Sequence, residues 1–470
     1  MFSVRSRAVS RLAAATVASG LVAAGVLTGA GTAVADEAAA GHPGGASATL
    51  SGLKTYDQAV IRGEGRDQKV SAGLFEMVVD GGGSLQTYCI DIHNPTQKEA
   101  KYRETAWDAT SLNANKDAGK IRWILQNSYP QVNDLAALAS KAGAGALTEK
   151  TAAAGTQVAI WRYSDGADVE ALDPAAEKLA DYLEQSAQAL AEPKASLTLD
   201  PPAVSGKAGE KLGPVTVHTD AGSVSVTGPA DASAGVTVVD EAGKPVTEAA
   251  DGTRLFFDVP AAEEGAEHSG SAALTVQAST TVPVGRAFAS DTKSQTQILA
   301  GSSESTVSAT ATAHWAGKGA IPAVSAEKNC SASGIDLTAS NQGDEDFTFE
   351  LMGVKHTIGA GKTQTVTVPL KEDQAYDFTI TGPNGFEKRV TGVLDCKTAG
   401  ETGAGGGAQP SSEPSPASAG STPAGGAGDD LAATGGSSAT PVIGGIAVAL
   451  VVIGGATVFL LRRKKVSAES

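Results

Sequence analysis

Hydrophobic spacing changes character near Ala195, and that change limits what the chain can fold into. Upstream, Lys120 to Ser128 sets Ile121, Ile124 and Leu125 on one helical face. Thr148 to Tyr163 predicts a second helix with Thr148 as its N-cap. Asp173-Pro174 opens a third, an N-cap followed by proline at the first helical position. Its stripe of Leu179, Tyr182, Leu183, Ala187 and Leu190 faces a core. The runs Leu74 to Val79 and Leu85 to Ile92, parted by Asp80-Gly81-Gly82-Gly83, have the pattern of a hairpin. Residues 46–194 therefore read as α+β. Downstream the helical period vanishes and short alternating strands recur: Val215 to Thr219, Ser223 to Thr227, Gly235 to Val239, Arg254 to Val259, Ala272 to Ala278 and Thr306 to His314. Turns such as Ala242-Gly243-Lys244-Pro245 separate them, which predicts a β-sandwich over 195–316. Phe347 to Leu351, Thr363 to Val368, Tyr376 to Thr381 and Arg389 to Leu394 repeat the pattern in a smaller all-β unit, 323–397.

The two ends supply an address. Residues 1–35 have the parts of a secretory signal peptide: Arg5, Arg7 and Arg11, an apolar stretch from Leu12 to Val26, and Ala33-Val34-Ala35 before a cleavage site at Asp36. Pro441 to Leu461 carries no charge and is long enough to cross a bilayer as a transmembrane helix. Arg462, Arg463, Lys464 and Lys465 begin a basic tail, 462–470, that stays cytoplasmic. Upstream stands Leu431-Ala432-Ala433-Thr434-Gly435. Pentapeptide, apolar helix and basic tail together resemble a sortase sorting signal of the Leu-Ala-x-Thr-Gly form. The resemblance implies cleavage between Thr434 and Gly435 and an amide link from Thr434 to peptidoglycan, with sortase and the wall as partners. Residues 398–430, almost entirely Gly, Ala, Ser, Pro and Thr, cannot bury a core and read as a disordered spacer through the wall. The formal net charge is -16; without the signal and the segment after Thr434, 29 bases face 51 acids. So negative a surface excludes nucleic acid as a partner.

An exported chain with three cysteines has one too many. Cys330 and Cys396 bracket the small β unit and most simply form a disulfide between its first and last strands, contributing about 4 kcal/mol by the chain-entropy model. Cys89 is left over, in Tyr88-Cys89-Ile90-Asp91 at the end of a strand-like run. An intermolecular bridge, a reactive nucleophile and another crosslink are all open to it. Asp91 and His93 follow two and four residues later, on the Cys89 side if the strand continues. A Cys–His nucleophile and base of the cysteine hydrolase kind would need a turn to bring His93 close, and Asn94-Pro95 makes one possible. No metal-ligand spacing and no phosphate-binding glycine loop is present, so no cofactor is expected.

Further on, the second helix carries Thr156-Gln157-Val158-Ala159-Ile160-Trp161. With Tyr88-Cys89 and the apolar helix from Trp123 that ends at Tyr129-Pro130, this resembles the bacterial thioester domain family, described by a TQxA motif followed by an aliphatic residue and Trp. The resemblance covers about 150 residues. It implies a bond between the Cys89 sulfur and the side-chain carbonyl of Gln157, formed with loss of ammonia. A thiol ionises near 8.5 and a lysine amine near 10.4, so sulfur is the better leaving group when an amine attacks. Water competes, and the bond needs shelter. Trp161, one helical turn past Gln157, and Tyr88 are candidate walls, with ordinary core packing the alternative for each.

The sequence thus predicts an α+β thioester domain followed by two all-β, immunoglobulin-like sandwich domains, a disordered linker and a C-terminal transmembrane helix. The expected protein is a wall-anchored adhesin that acylates an amine-bearing surface ligand, a protein lysine or a polyamine. Each molecule reacts once, so it is not an enzyme. The alternatives are a structural wall protein with a stiffening internal crosslink, and a hydrolase or transglutaminase using Cys89 as nucleophile.

Overall fold

The computed structural model describes residues 44–397 apart from 64–65, 231–234 and 262–268. The signal peptide, spacer, sorting pentapeptide, apolar span and basic tail read from the sequence lie outside these residues. Among the described residues no helix is long and apolar enough to cross a membrane.

The first layer is a barrel. Strands β1 (Ser47–Ile61), β2 (Gln68–Val79), β3 (Ser84–Cys89), β4 (Lys101–Thr105) and β5 (Val169–Ala171) come from the N-terminal region. The predicted hairpin is present: Phe75 to Val78 of β2 pairs antiparallel with Ser84 to Thr87 of β3. Gly81, Gly82 and Gly83 all have positive φ in the turn between them, which a side chain would strain. β1 is long enough to pair with β2 on one edge and with β4 and then β5 on the other.

The sandwich region supplies the missing staves. It runs through β6 (Leu197–Asp200), β7 (Ala203–Lys207), β8 (Lys211–Thr219), β9 (Val224–Thr227), β10 (Thr237–Val239), β11 (Glu248–Ala249), β12 (Arg254–Asp258) and β13 (Gly270–Thr281). Then β14 (Ala287–Ser290) and β15 (Gln297–Ser302) leave it, before β16 (Glu304–Ala316) returns. β14 pairs with β4, β15 with β3, and β14 with β15. The ladder therefore closes as β2-β3-β15-β14-β4-β1 and back to β2, leaving β5 as an appendage. The expected border near Ala195 does not separate two self-contained units, because a barrel has no edge only when every strand is in place. The remaining strands form two sheets, β10-β12-β8-β6 and β11-β9-β13-β16-β7. Leu197, Val215, Val217, Leu255 and Phe257 of one and Leu274, Val276, Val307, Ala309 and Ala311 of the other are fully buried in a core continuous with the barrel.

A buried ion pair fixes the junction. Arg286 Nε lies 2.9 Å from Glu104 Oε1, and both side chains are nearly inaccessible. Glu104 also accepts from the Ser196 and Ala46 main-chain N–H groups, so β4, the turn before β14, the start of β1 and the linker into β6 meet at one carboxylate.

Among the described residues four α-helices lie on the barrel: α1 (Ala118–Asn127), α2 (Leu135–Ala142), α3 (Glu149–Ser164) and α4 (Pro174–Ser186). Thr148 caps α3 in a capping box with Thr151, and Asp173 caps α4 ahead of Pro174. Two expectations need correction. α2 lies where no helix was predicted, since only Leu138 and Ala139 are buried and the apolar stripe is short. α4 stops at Ser186, so Ala187 and Leu190 of the predicted stripe fall beyond it.

The last unit comprises β17 (Pro322–Asn329), β18 (Gly334–Asn341), β19 (Phe347–Leu351), β20 (Val354–Ile358), β21 (Lys362–Pro369), β22 (Ala375–Thr381) and β23 (Glu387–Val393). One three-stranded and two two-stranded ladders surround Ile335, Leu337, Phe347, Ile358, Ile380 and Leu394. Cys330 and Cys396 form its disulfide, with Cα atoms 5.2 Å apart. The disulfide end abuts the barrel: the Cys330 N–H donates to Asp108 O at 3.3 Å, and Asn113 and Ser331 share side-chain hydrogen bonds.

Candidate functional site

Cys89 is the last residue of β3, and its placement follows from where pairing stops. On one side it faces Gln297 of β15. On the other, β2 pairs with β3 only as far as Phe75 opposite Thr87, so the Cys89 main chain has no strand partner there. Gln157 of α3 fills the gap. Its Oε1 accepts from the Cys89 N–H at 3.0 Å and its Nε2 donates to the Cys89 carbonyl at 2.8 Å. The carboxamide stands in for a strand residue. Both residues have no solvent exposure.

The helix reaches this position because its buried face is small. Ala152, Ala153, Ala154 and Gly155 are all buried. A Cβ on Gly155 would stand 2.4 Å from the Ala176 carbonyl oxygen of α4. The Thr156 hydroxyl, next to Gln157, donates to Ala152 O at 2.7 Å and meets Ser128 Oγ at 2.6 Å, which fixes the turn that carries Gln157. Beyond the site, Arg162 ties the end of α3 to Glu177, Asp181 and Glu184 of α4 and to the Val169 carbonyl of β5.

The sulfur sits in a main-chain pocket. β3 ends at Cys89, and the following residues turn back so that the Asp91 N–H approaches Sγ at 3.2 Å while the thiol points at Asp91 O, also 3.2 Å away. Burial pushes the Cys89 thiol well above its ordinary pKa, and the Asp165 and Asp91 carboxylates push the same way. A neutral thiol is therefore the resting form.

The sequence candidates take up distinct places. Trp161 is buried one turn after Gln157; its indole N–H makes no regular hydrogen bond among the described residues, yet it lies close enough to the sulfur to favour the thiolate slightly. Tyr88 alternates to the opposite face of β3 and donates its hydroxyl to Tyr129 O at 2.9 Å, so it pins the turn under α3 and does not wall the sulfur. Asp91 meets Cys89 through its main chain. Its carboxylate accepts from the Asn94 amide at 2.5 Å and from the His93 N–H at 3.3 Å, and burial raises its pKa. His93 is engaged there through its main chain. Among the described residues no imidazole is hydrogen-bonded to Sγ, because the strand does not continue past Cys89.

Residues not singled out in the sequence complete the pocket. Asp165, the C-cap of α3, accepts from the Ile92 N–H at 3.0 Å. Gln295 donates to Asp91 O at 2.6 Å, and Tyr102 donates to Gln295 O at 2.8 Å. Gln295 lies in the excursion that carries β14 and β15, 206 residues past Cys89 in sequence, so no local pattern marks it. The closest approach to a cation site among the described residues is Glu372, Asp373 and Asp395, with carboxylate oxygens within 4.8 Å. Glu372 is already taken by the N–H groups of Cys396 and Lys397, and Asp373 by Lys293.

Thiol and carboxamide stand as the reactants of an acyl transfer. Attack of Sγ on the Gln157 carbonyl carbon places charge on Oε1, which already faces the Cys89 N–H, an oxyanion donor in position.

Comparison with known proteins bears on the same residues. The thioester domain family model matches residues 86–189, a span that includes Cys89 and Gln157. Residues 86–189 are thus similar to the thioester domain family. The C-terminal domain of bacterial phospholipase C matches residues 322–393, which is the last β unit. Among solved structures, the Bacillus anthracis TIE protein is 17% identical, covers 75% of this chain and 64% of its own, and has a TM-score of 0.27. The thioester domain of the Enterococcus faecium TIE86 protein is 15% identical, with coverage of 57% and 94% and the same TM-score of 0.27. The E. coli chaperone DraB is 13% identical over 42% of this chain and 98% of its own, with a TM-score of 0.19. The chain spans less than two thirds of the Bacillus anthracis protein. No curated protein matches the sequence.

Proposed function

We propose that this chain is an exported, wall-anchored surface adhesin that binds its target covalently through a Cys89–Gln157 thioester. The observation that carries the reading is the double hydrogen bond from the Gln157 carboxamide to the Cys89 main chain, buried beside the thiol. In forming the bond, sulfur joins the Gln157 carbonyl carbon and the thiol proton leaves with the amide nitrogen as ammonia. In using it, a primary amine takes the acyl group and returns the proton to sulfur, leaving an amide and a free thiol. Burial of both residues supports a long-lived bond, because water is kept from the carbonyl. The signal peptide, the Leu431 to Gly435 pentapeptide and the apolar span support export and attachment by sortase to peptidoglycan. One molecule acylates one target, so the protein is not a turnover enzyme.

Complete burial of Cys89 and Gln157 also favours a second reading, an internal crosslink that only stiffens the barrel. Intact-mass measurement separates the two. Freshly purified protein should be lighter by one ammonia than its residues predict, and Cys89→Ala should show the full mass. Methylamine should add to the wild type and free one alkylatable thiol. Loss of ammonia without methylamine uptake would leave the structural crosslink. A full mass in the wild type would remove both.

A further inference from the structure

The loop between β14 and β15 is buried, although a connection between strands ordinarily runs over the surface. Ser294 is 2% exposed, Gln295 1% and Thr296 3%. This loop holds the main chain beside the sulfur. Thr296 O accepts from the Ile90 N–H at 3.1 Å, and the Gln295 amide donates to Asp91 O, the oxygen at which the Cys89 thiol points. The last β unit lies against the same loop. The Thr296 hydroxyl reaches Asp395 Oδ2 at 3.4 Å, Lys293 Nζ lies 3.7 Å from an Asp373 carboxylate oxygen, and the Lys328 ammonium faces Asp291 as well as Asp395.

Each of these contacts is polar, and so are the others along the seam. Asn113 and Ser331 share side-chain hydrogen bonds of 3.0 and 3.3 Å, and the Cys330 N–H donates to Asp108 O. The apolar core of the last unit is separate from the core shared by barrel and sandwich. Units joined in this way shift against each other, because no large apolar area welds them. The linker 317–321, from β16 into β17, supplies the axis. There Asn384 donates to Ala320 O at 3.2 Å, and the His314 and Phe386 rings meet edge to face at 5.2 Å. The eight residues of β17 separate this axis from the disulfide end, about 23 Å at the usual rise, so a small rotation opens the seam by ångströms.

Cys89 and Gln157 have no exposure, so an amine reaches their bond only after something moves. Toward α3, β1 and β2 the pair is enclosed by the apolar core, which a charged amine does not cross. The turn after Cys89 and the 294–296 loop are the polar way in. We infer that the last β unit is a cover over that way in, closed at the seam and opening about the 317–321 linker, and that its opening sets how fast an amine reaches the bond. The inference rests on the thioester reading and adds the regulation of the same site.

The test uses the mature protein. Methylamine uptake is followed by intact mass, and hydrogen exchange is followed at the Ile90 amide. Asn113→Ala with Ser331→Ala removes the paired hydrogen bonds, and Lys293→Ala separately removes the ion pair. Neither change alters a residue hydrogen-bonded to Cys89 or Gln157. The first should speed both readouts by about fivefold and the second by about twofold. Wild-type rates in both variants, or slower uptake in either, would overturn the cover. So would an equal acceleration of exchange at Val276 in the sandwich, because the whole molecule would then have loosened. Wild-type protein that keeps its ammonia would overturn the thioester reading instead, and exchange at Ile90 would still judge the cover.

Discussion

At the scale of single residues, the site depends on how few solvent-accessible atoms surround the sulfur. Cys89, Gln157 and Trp161 are buried together, and the polar groups around them are engaged largely by main chain. The price of this arrangement is a group of carboxyls with little water. Asp395, just before the disulfide, is pushed up to about 7, chiefly by burial and then by Asp91 and Glu372, with Lys328 opposing and Asp373 adding a further negative neighbour. Folded Asp395 keeps a proton that the unfolded chain releases near 4, so its stabilising effect is complete below about 4 and is lost as pH rises through about 7. The urea midpoint should therefore fall between about pH 4 and about pH 7, and Asp395→Asn should flatten that fall. An unchanged profile in the variant would assign the slope to Asp91, whose pKa is also raised by burial.

At the scale of elements, α3 is a rod whose placement sets where Gln157 meets Cys89. Its small buried residues let it lie against β1 and β2 while α4 crosses close over Gly155. Gly155→Ala places a methyl group against the Ala176 carbonyl, which cannot retreat without moving α4. The expected cost is about 1–3 kcal/mol in urea unfolding. Because Gln157 lies two residues further along, the fraction of molecules lacking one ammonia should fall as well. Destabilisation with full ammonia loss would show that the barrel, not α4, seats the helix.

At the scale of the whole molecule, the barrel is completed by strands from nearly two hundred residues downstream. β14 and β15 bridge β3 and β4, and Arg286 beside β14 holds the buried Glu104 carboxylate. A fragment of residues 44–194 should therefore lack a cooperative thermal transition, whereas residues 44–316 should melt cooperatively, as circular dichroism and resistance to protease would report. A cooperative melt of the shorter fragment would show that the N-terminal strands close on themselves.

Much of this was legible beforehand because it is local. The Thr148 and Asp173 caps, the glycine turn between β2 and β3, and the alternation of the downstream strands rest on neighbours in sequence. The odd cysteine and the Thr156 to Trp161 motif marked, for the same reason, the two residues that the fold brings together. What tertiary structure alone decided is the route of β14 and β15 into the barrel and the open edge of β3 that Gln157 occupies. Those features depend on pairing between residues that no local period connects. The chain's chemistry was written in short motifs, while the surroundings that hold and shelter it arise from strand register across the closed barrel.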